Sequence, residues 1–121
     1  MVKVLVVDDC SVTRDLLKKL LKRLDINRVD EASDGVEAIE MYDKFQPEIV
    51  FMDIAMPNVN GIEAMKVINE KYNHTNIIMI TSFDDQNFIY EALSSGAKGF
   101  VVKPFNEDKI KSALSAIISF I

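Results

Sequence analysis

The sequence predicts a doubly wound α/β fold, in which helices cover both faces of a five-stranded parallel sheet. Two observations lead to this prediction. Short apolar runs alternate with amphipathic helical patterns five times along the chain. Four of these runs are continuous rather than alternating, which is typical of strands buried on both faces of a parallel sheet.

The predicted strands differ in polarity, and this difference indicates their order. The four apolar strands are residues 4–7, 49–52, 77–80 and 100–102, whereas Arg28–Ala32 mixes charged and apolar side chains. A polar strand suits the edge of a sheet. The pattern therefore predicts a (βα)5 flavodoxin-like fold with strand order 2-1-3-4-5.

Five amphipathic stripes at three- and four-residue spacing predict the helices between and after the strands. They lie within residues 16–24, 36–42, 62–72, 88–93 and 110–121. Helix starts are marked by Asp34 with Glu37 and by Asn60 with Glu63, both at the spacing of a capping box. Asn106, followed by two acidic residues, marks the start of the last helix.

Length and composition limit the possible functions. The 121 residues fit one domain, spanning 1–121, with a net charge of −5 and a single cysteine. This composition excludes a disulfide framework and a cysteine-based zinc site, and the acidic balance argues against direct nucleic-acid binding. No apolar run is long enough to span a membrane and no signal peptide is present, so we expect a cytoplasmic protein.

Polar side chains follow the apolar strands where each strand ends. Asp8 and Asp9 follow the first strand, Asp53 follows the third, Thr81 the fourth and Lys103 the fifth. Parallel strands point in one direction, so these five side chains should converge on one rim of the sheet. In doubly wound folds that rim is where ligands bind.

The predicted cluster suits a hard cation and a phosphoryl group. Three neighbouring carboxylates repel one another unless a cation lies among them, and an all-oxygen ligand set with few carboxylates favours Mg²⁺. The ammonium of Lys103 and the hydroxyl of Thr81 would bind the oxygens of a transferring phosphoryl group.

Four segments together resemble the receiver domain of two-component response regulators, of the single-domain, CheY-like kind. They are Asp8-Asp9, the run from Asp53 to Gly61, Thr81-Ser82, and Lys103-Pro104-Phe105. The resemblance covers the whole chain, in order and at the family's spacing. It implies a phosphorylation-activated signalling switch that serves chemotaxis or a phosphorelay.

The resemblance assigns the acceptor and the metal ligands. Asp53 corresponds to the phosphoacceptor, which takes its phosphoryl group from a histidine kinase, a phosphotransfer protein or a small acyl phosphate. Asp8, Asp9, Asp53 and the backbone carbonyl of Ala55 correspond to the Mg²⁺ ligands. The implied chemistry is limited to self-phosphorylation and slow self-dephosphorylation, so we do not expect an enzyme.

The resemblance also assigns the switch residues. Lys103 corresponds to the lysine that holds the phosphoryl oxygens, and its bond to Pro104 corresponds to the family's cis peptide. Thr81 follows the phosphoryl group on activation, and Phe100 occupies the aromatic position that turns inward. The surface formed by the fourth helix, fifth strand and fifth helix would then bind an output protein, from a monomer or weak dimer.

The resemblance also implies where a kinase or phosphotransfer protein docks and which residues affect the lifetime of the phosphorylated form. The docking surface for the kinase or phosphotransfer protein is expected around the start of the first helix and beside Lys103; its residues are Val12, Thr13, Leu16, Pro104 and Phe105. The lifetime of the phosphorylated form should depend on Ala55 and Phe83, which lie two residues after the acceptor and after Thr81. Neither side chain can orient an attacking water by a hydrogen bond, so slow self-dephosphorylation is expected.

Three alternatives remain open at this point. The chain could be a receiver excised from a longer regulator with a DNA-binding or enzymatic output. An aspartate-nucleophile Mg²⁺ phosphatase of the haloacid-dehalogenase type would need a second acid where this chain has Ala55. A flavodoxin-like FMN protein would need a phosphate-binding first loop, but Asp8 and Asp9 would repel that phosphate.

Overall fold

Five parallel strands form one sheet in the order β2-β1-β3-β4-β5, as the sequence predicts. The computed structural model describes residues 2–82 and 86–118. Strands and helices alternate along the described chain as β1 (Lys3–Val7), α1 (Ser11–Arg23), β2 (Arg28–Ala32), α2 (Gly35–Phe45), β3 (Ile49–Asp53), α3 (Gly61–Lys71), β4 (Ile77–Thr81), α4 (Gln86–Ser94), β5 (Gly99–Val102) and α5 (Glu107–Ile118).

Two apolar clusters, one on each face of the sheet, form the core. Helices α1 and α5 cover one face, and α2, α3 and α4 cover the other. The central strands β3 and β4 are buried along their whole length. Continuous apolar sequence in these strands therefore reflects burial on both sides.

Strand β5 differs from the prediction. We expected its apolar run to be buried on both faces, but Phe100 is 44% exposed, so that prediction is wrong. The cause is the strand order, which places β5 at an edge where, among the strands of the described residues, β4 is its one partner. Val101 is buried against Ile110 and Leu114 of α5, whereas the opposite face of the strand is incompletely covered.

The helix starts follow the predicted caps. Asn60 and Glu63 form a complete capping box at the start of α3. The Asp34 carboxylate accepts the N–H of Glu37, but the Glu37 carboxylate accepts from the N–H of Ser33 rather than completing the box. The predicted extension of α5 to residue 121 lies outside the described residues beyond Ile118. Within the described helices, none has the length and apolar character that a bilayer span requires.

Candidate functional site

Three carboxylates meet at the rim formed by the ends of β1 and β3. Ligand oxygens of Asp8, Asp9 and Asp53 all lie within 4.8 Å of one another. Asp8 and Asp53 are almost completely buried, at 1% and 4% exposure, whereas Asp9 is exposed. The parallel register that pairs Val7 with Met52 brings these strand ends side by side. The predicted convergence of the three acids is therefore confirmed.

Lys103 joins this cluster from the end of β5. Its ammonium Nζ lies 3.2 Å from Asp8 Oδ2 and 3.4 Å from Asp53 Oδ2, so one cation bridges two buried carboxylates. The backbone N–H of Lys103 donates to the carbonyl of Thr81 at 2.7 Å, which fixes the start of the connection to α5. The Lys103–Pro104 peptide bond is cis, in agreement with the expectation.

Burial and charge set the protonation behaviour of the cluster. Burial and, to a lesser extent, the negative charge of Asp8 raise the pKa of Asp53, and Lys103 opposes both effects; the net result is a pKa of about 6. Burial alone would lower the pKa of Lys103, but the charges of Asp53 and Asp8 outweigh it, so this pKa is raised. The site therefore holds a permanent ammonium beside an unusually basic carboxylate.

Thr81 occupies the last position of β4, next to the acidic cluster in the sheet. It is buried, and its hydroxyl donates to the carbonyl of Ser82 at 3.2 Å. Strand pairing places Asp53 beside Ile80, one residue before Thr81. The predicted hydroxyl thus lies at the strand end that neighbours the strand of Asp53.

Backbone contacts hold Asp8 in place, and the sequence analysis missed one of them. The Asp8 carboxylate accepts the N–H of Cys10 at 2.8 Å, and its carbonyl accepts from the guanidinium of Arg14. Arg14 is itself anchored by Glu31, whose Oε1 lies 2.9 Å from Nε. The basic residue on α1 and the acid in β2 are visible in the sequence, but only the structure shows that they meet.

A glycine lets α3 begin directly against Asp53. A Cβ on Gly61 would lie 2.2 Å from the carbonyl oxygen of Asp53, which no real side chain tolerates. The Gly61 N–H donates to the carbonyl of Ile54 at 2.9 Å. Gly61 therefore helps to position the backbone of Asp53, a role that the sequence analysis did not assign.

Residues 4–115 match the family model of the response regulator receiver domain. The chain belongs to this family. Family membership favours the receiver reading over the phosphatase and flavoprotein alternatives.

Similar proteins support the same classification of this receiver domain. It is 40% identical to the chemotaxis protein CheY of Listeria monocytogenes over 114 residues, which are 94% of this chain and 96% of that protein. It is 35% identical to the CheY of Bacillus subtilis, covering 97% of this chain and 98% of that protein. The CheX-CheY-BeF3-Mg+2 complex from Borrelia burgdorferi contains a chain that superposes with a TM-score of 0.91 at 31% identity, covering 97% of this chain and 89% of the other.

The predicted switch residue of the receiver domain faces outward. Phe100 lines a cleft of about 670 Å³ between α4 and α5, together with Leu93, Val102 and Ala113. An outward aromatic ring beside an open cleft is compatible with a side chain that changes position. The inward turn of Phe100 stays a prediction.

The residues proposed for docking lie around the rim but differ in exposure. Val12 is 74% exposed, Leu16 and Pro104 are also exposed, and Thr13 is half-buried. Phe105 is partly buried against the apolar cluster that includes residues of α1 and α5, so less of its side chain is available for docking than predicted.

Two further positions are those predicted to affect the lifetime of a phosphorylated form. Ala55 is exposed, and its N–H donates to Asp53 Oδ1 at 3.3 Å. Phe83 lies outside the described residues.

Proposed function

We propose that this receiver domain is a phosphorylation-activated switch of a cytoplasmic two-component system, with Asp53 as its phosphoacceptor. The observation that carries the proposal is the position of Asp53. It is a buried carboxylate that lies beside two further acids and 3.4 Å from the Lys103 ammonium. A solvated acid at a strand end would have neither the burial nor this partner.

The donor set fits Mg²⁺. Carboxylate and carbonyl oxygens are the ligands that this hard cation prefers, and Asp8, Asp9 and Asp53 each offer an oxygen within 4.8 Å of the others. These three side chains and the carbonyl of Ala55 would hold the ion. When bound, Mg²⁺ supplies positive charge that offsets the repulsion between the carboxylates and the phosphoryl oxygens.

The chain's own residues account for the transfer step. A carboxylate oxygen of Asp53 forms the bond to phosphorus, while the P–N bond of a phosphohistidine or the P–O bond of an acyl phosphate breaks. The electron pair of that bond leaves with the imidazole or the carboxylate of the donor. The Lys103 ammonium lies where it can move from Asp53 Oδ2 to the transferred oxygens. Its contact with Asp8 already offsets the cost of holding this positive charge in the site.

The output is proposed to be a protein that binds the phosphorylated form. Phosphorylation adds charge and acceptor oxygens at Asp53, which would attract Thr81 and Lys103. Movement of Thr81 would make room for Phe100 and so shift the α4–β5–α5 surface between two packings. Similarity to proteins named chemotaxis protein CheY favours chemotaxis over a phosphorelay.

A second candidate is a receiver that works within a longer transcriptional regulator. The chain is 36% identical to the transcriptional regulatory protein LnrK of Bacillus subtilis, matching 54% of the length of that protein. The length of the natural open reading frame distinguishes this arrangement from a stand-alone switch.

The test is phosphorylation by acetyl phosphate with Mg²⁺, followed by intact-mass measurement. The wild-type chain should gain the mass of one phosphoryl group and lose it slowly when the donor is removed. Asp53→Asn should show no gain, whereas Asp30→Asn, which changes an exposed acid on β2, should behave as wild type. The same adduct on Asp53→Asn would refute the assignment.

A further inference from the structure

Positive charge is concentrated in one segment of this acidic chain. Residues 14–28 contain six of the 14 basic side chains and two of the 19 acidic ones, so their net charge is +4. The rest of the chain has a net charge of −9. This segment comprises most of α1, the following turn and the first residue of β2.

The basic segment borders a cleft with an apolar floor, which we call the α1–β2 cleft. The cleft has a volume of about 410 Å³, and its residues are Asp15, Lys18, Lys19, Lys22, Ile26, Asn27 and Val29. The three lysines lie on its α1 side, while Ile26 and Val29 pack into the core at its base. A second cavity of about 440 Å³ adjoins it, between Lys19, Lys22 and Arg23.

The cations of this surface are largely available to a partner. Within residues 2–82 and 86–118, Lys19 and Lys22 form no ion pair. Arg23 is 72% exposed and its contact with Glu107 is loose, at 3.5 Å. Lys18 is paired with Glu31 at 2.9 Å and so contributes less. Exposed pairs of this kind exchange partners at little free-energy cost.

We propose that the α1–β2 cleft binds a short acidic segment of a partner protein, with an apolar side chain of that segment on Ile26 and Val29. Charge complementarity selects the partner, because the cleft combines unpaired ammonium groups with an apolar base. A long polyanion is a poorer fit. Asp15 lies in the cleft and Asp25 lies within the basic segment, and a long polyanion such as nucleic acid or an anionic membrane would also face the remaining chain, whose net charge of −9 repels it.

The cleft is separate from the phosphorylation switch. Strand β2 forms the edge of the sheet opposite β5, and Phe100 and the cleft beside it lie on β5. An acidic segment bound in the α1–β2 cleft therefore leaves Phe100 and the cleft beside it free. The proposal does not rest on phosphorylation of Asp53, and its test uses the chain without a phosphoryl donor.

The test is a fluorescence anisotropy titration with a labelled short peptide of glutamates around a central leucine. Binding should weaken strongly from low to physiological salt, since surface charge pairs are screened over about 10 Å. The triple variant Lys19→Gln, Lys22→Gln, Arg23→Gln should bind about tenfold more weakly, as expected for the loss of three exposed charge pairs. A peptide with glutamine in place of glutamate should not bind.

A matched variant controls for net charge. Lys44→Gln, Lys98→Gln, Lys111→Gln removes three exposed lysines elsewhere, so it should bind the acidic peptide as wild type does. Circular dichroism melts verify that both triple variants are folded. Absence of peptide binding at low salt, or equal loss in both variants, would overturn the proposal. Tighter binding of a single-stranded oligonucleotide or of anionic phospholipid vesicles would overturn the choice of an acidic protein segment.

Discussion

Replacing Asp53 with asparagine should stabilise the metal-free receiver domain at neutral pH. The reason is that folding takes the Asp53 carboxylate out of water and places it beside Asp8, and both effects disfavour its charge. Asparagine has nearly the same shape and keeps an oxygen that can accept the N–H of Ala55. The substitution removes the negative charge that burial disfavours, and it loses only the attraction between that charge and the Lys103 ammonium.

The raised pKa gives the magnitude. The pKa of Asp53 shifts from 3.8 to about 6 on folding. At 1.36 kcal/mol for each pKa unit, the ionised carboxylate therefore lowers the free energy of unfolding by about 3 kcal/mol at pH values above about 6. Because the amide also loses some hydration, we expect a gain of about 2–3 kcal/mol in the free energy of unfolding. That is a large fraction of the stability of an ordinary domain.

The gain should depend on pH with a definite sign. Between pH 3.8 and about 6 the folded state holds a proton on Asp53 that the unfolded state has released. The stability of the wild type relative to Asp53→Asn therefore falls as the pH rises through this interval and is lowest above it. Below the lower limit both states are protonated and the difference should vanish.

Urea unfolding followed by circular dichroism, with EDTA present, measures this difference. The free energy of unfolding is compared between wild type and Asp53→Asn at about pH 4 and about pH 7. Glu70→Gln, which changes an exposed acid on α3, is the control and should show little change at either pH. An equal effect of Asp53→Asn at both pH values, or no gain at neutral pH, would show that burial of the charge is not what destabilises the wild type.

Three further predictions concern the metal ligands, the backbone of the acceptor and the lifetime of the phosphorylated form. Asp9→Asn should weaken Mg²⁺ binding and block phosphorylation, because it removes one charged ligand oxygen; an unchanged Mg²⁺ affinity in a titration would contradict the site. Gly61→Ala should lower the free energy of unfolding by about 1–3 kcal/mol and impair phosphorylation, because its Cβ would press on the acceptor's carbonyl. Gly99→Ala, whose Cβ meets nothing within 4 Å, is the control, and equal unfolding curves for both variants would refute the steric argument. The double variant Ala55→Asn, Phe83→Glu should dephosphorylate up to about tenfold faster, because one hydrogen bond that orients the attacking water can accelerate the reaction by about that factor. An unchanged decay rate in a folded variant that still binds Mg²⁺ would refute this explanation.

The parts of the site that lie on strand ends could be predicted from sequence. Continuous apolar runs identify buried parallel strands, and the residue after each run must then lie at the same rim. This reasoning brings Asp8, Asp53 and Lys103 together without any knowledge of distances. The ion pairs of Lys103, at 3.2 and 3.4 Å, are the geometric consequence.

The contacts that depend on register and packing could not be predicted. Arg14 donates to the carbonyl of Asp8 while its Nε pairs with Glu31 of β2, and neither contact follows from the local sequence. The apolar character of β5 predicted burial, yet an edge strand covered mainly by α5 leaves Phe100 exposed. Local sequence indicates whether a residue prefers burial or exposure. The contacts of Arg14 and the exposure of Phe100 are instead determined by the elements packed against them.

In the proposed mechanism, the arrangement of charge lets one lysine, Lys103, couple phosphorylation at Asp53 to the fold. Lys103 bridges Asp8 and Asp53 and reduces a repulsion that would otherwise raise the pKa of Asp53 still further. A phosphoryl group on Asp53 offers this ammonium more negative charge than the carboxylate does. Lys103 stands at the end of β5, the strand that carries Phe100, and its N–H is bonded to the carbonyl of Thr81. A shift of the ammonium toward the phosphoryl oxygens would therefore act on the end of β4, which carries Thr81, and on β5, the strand that carries Phe100.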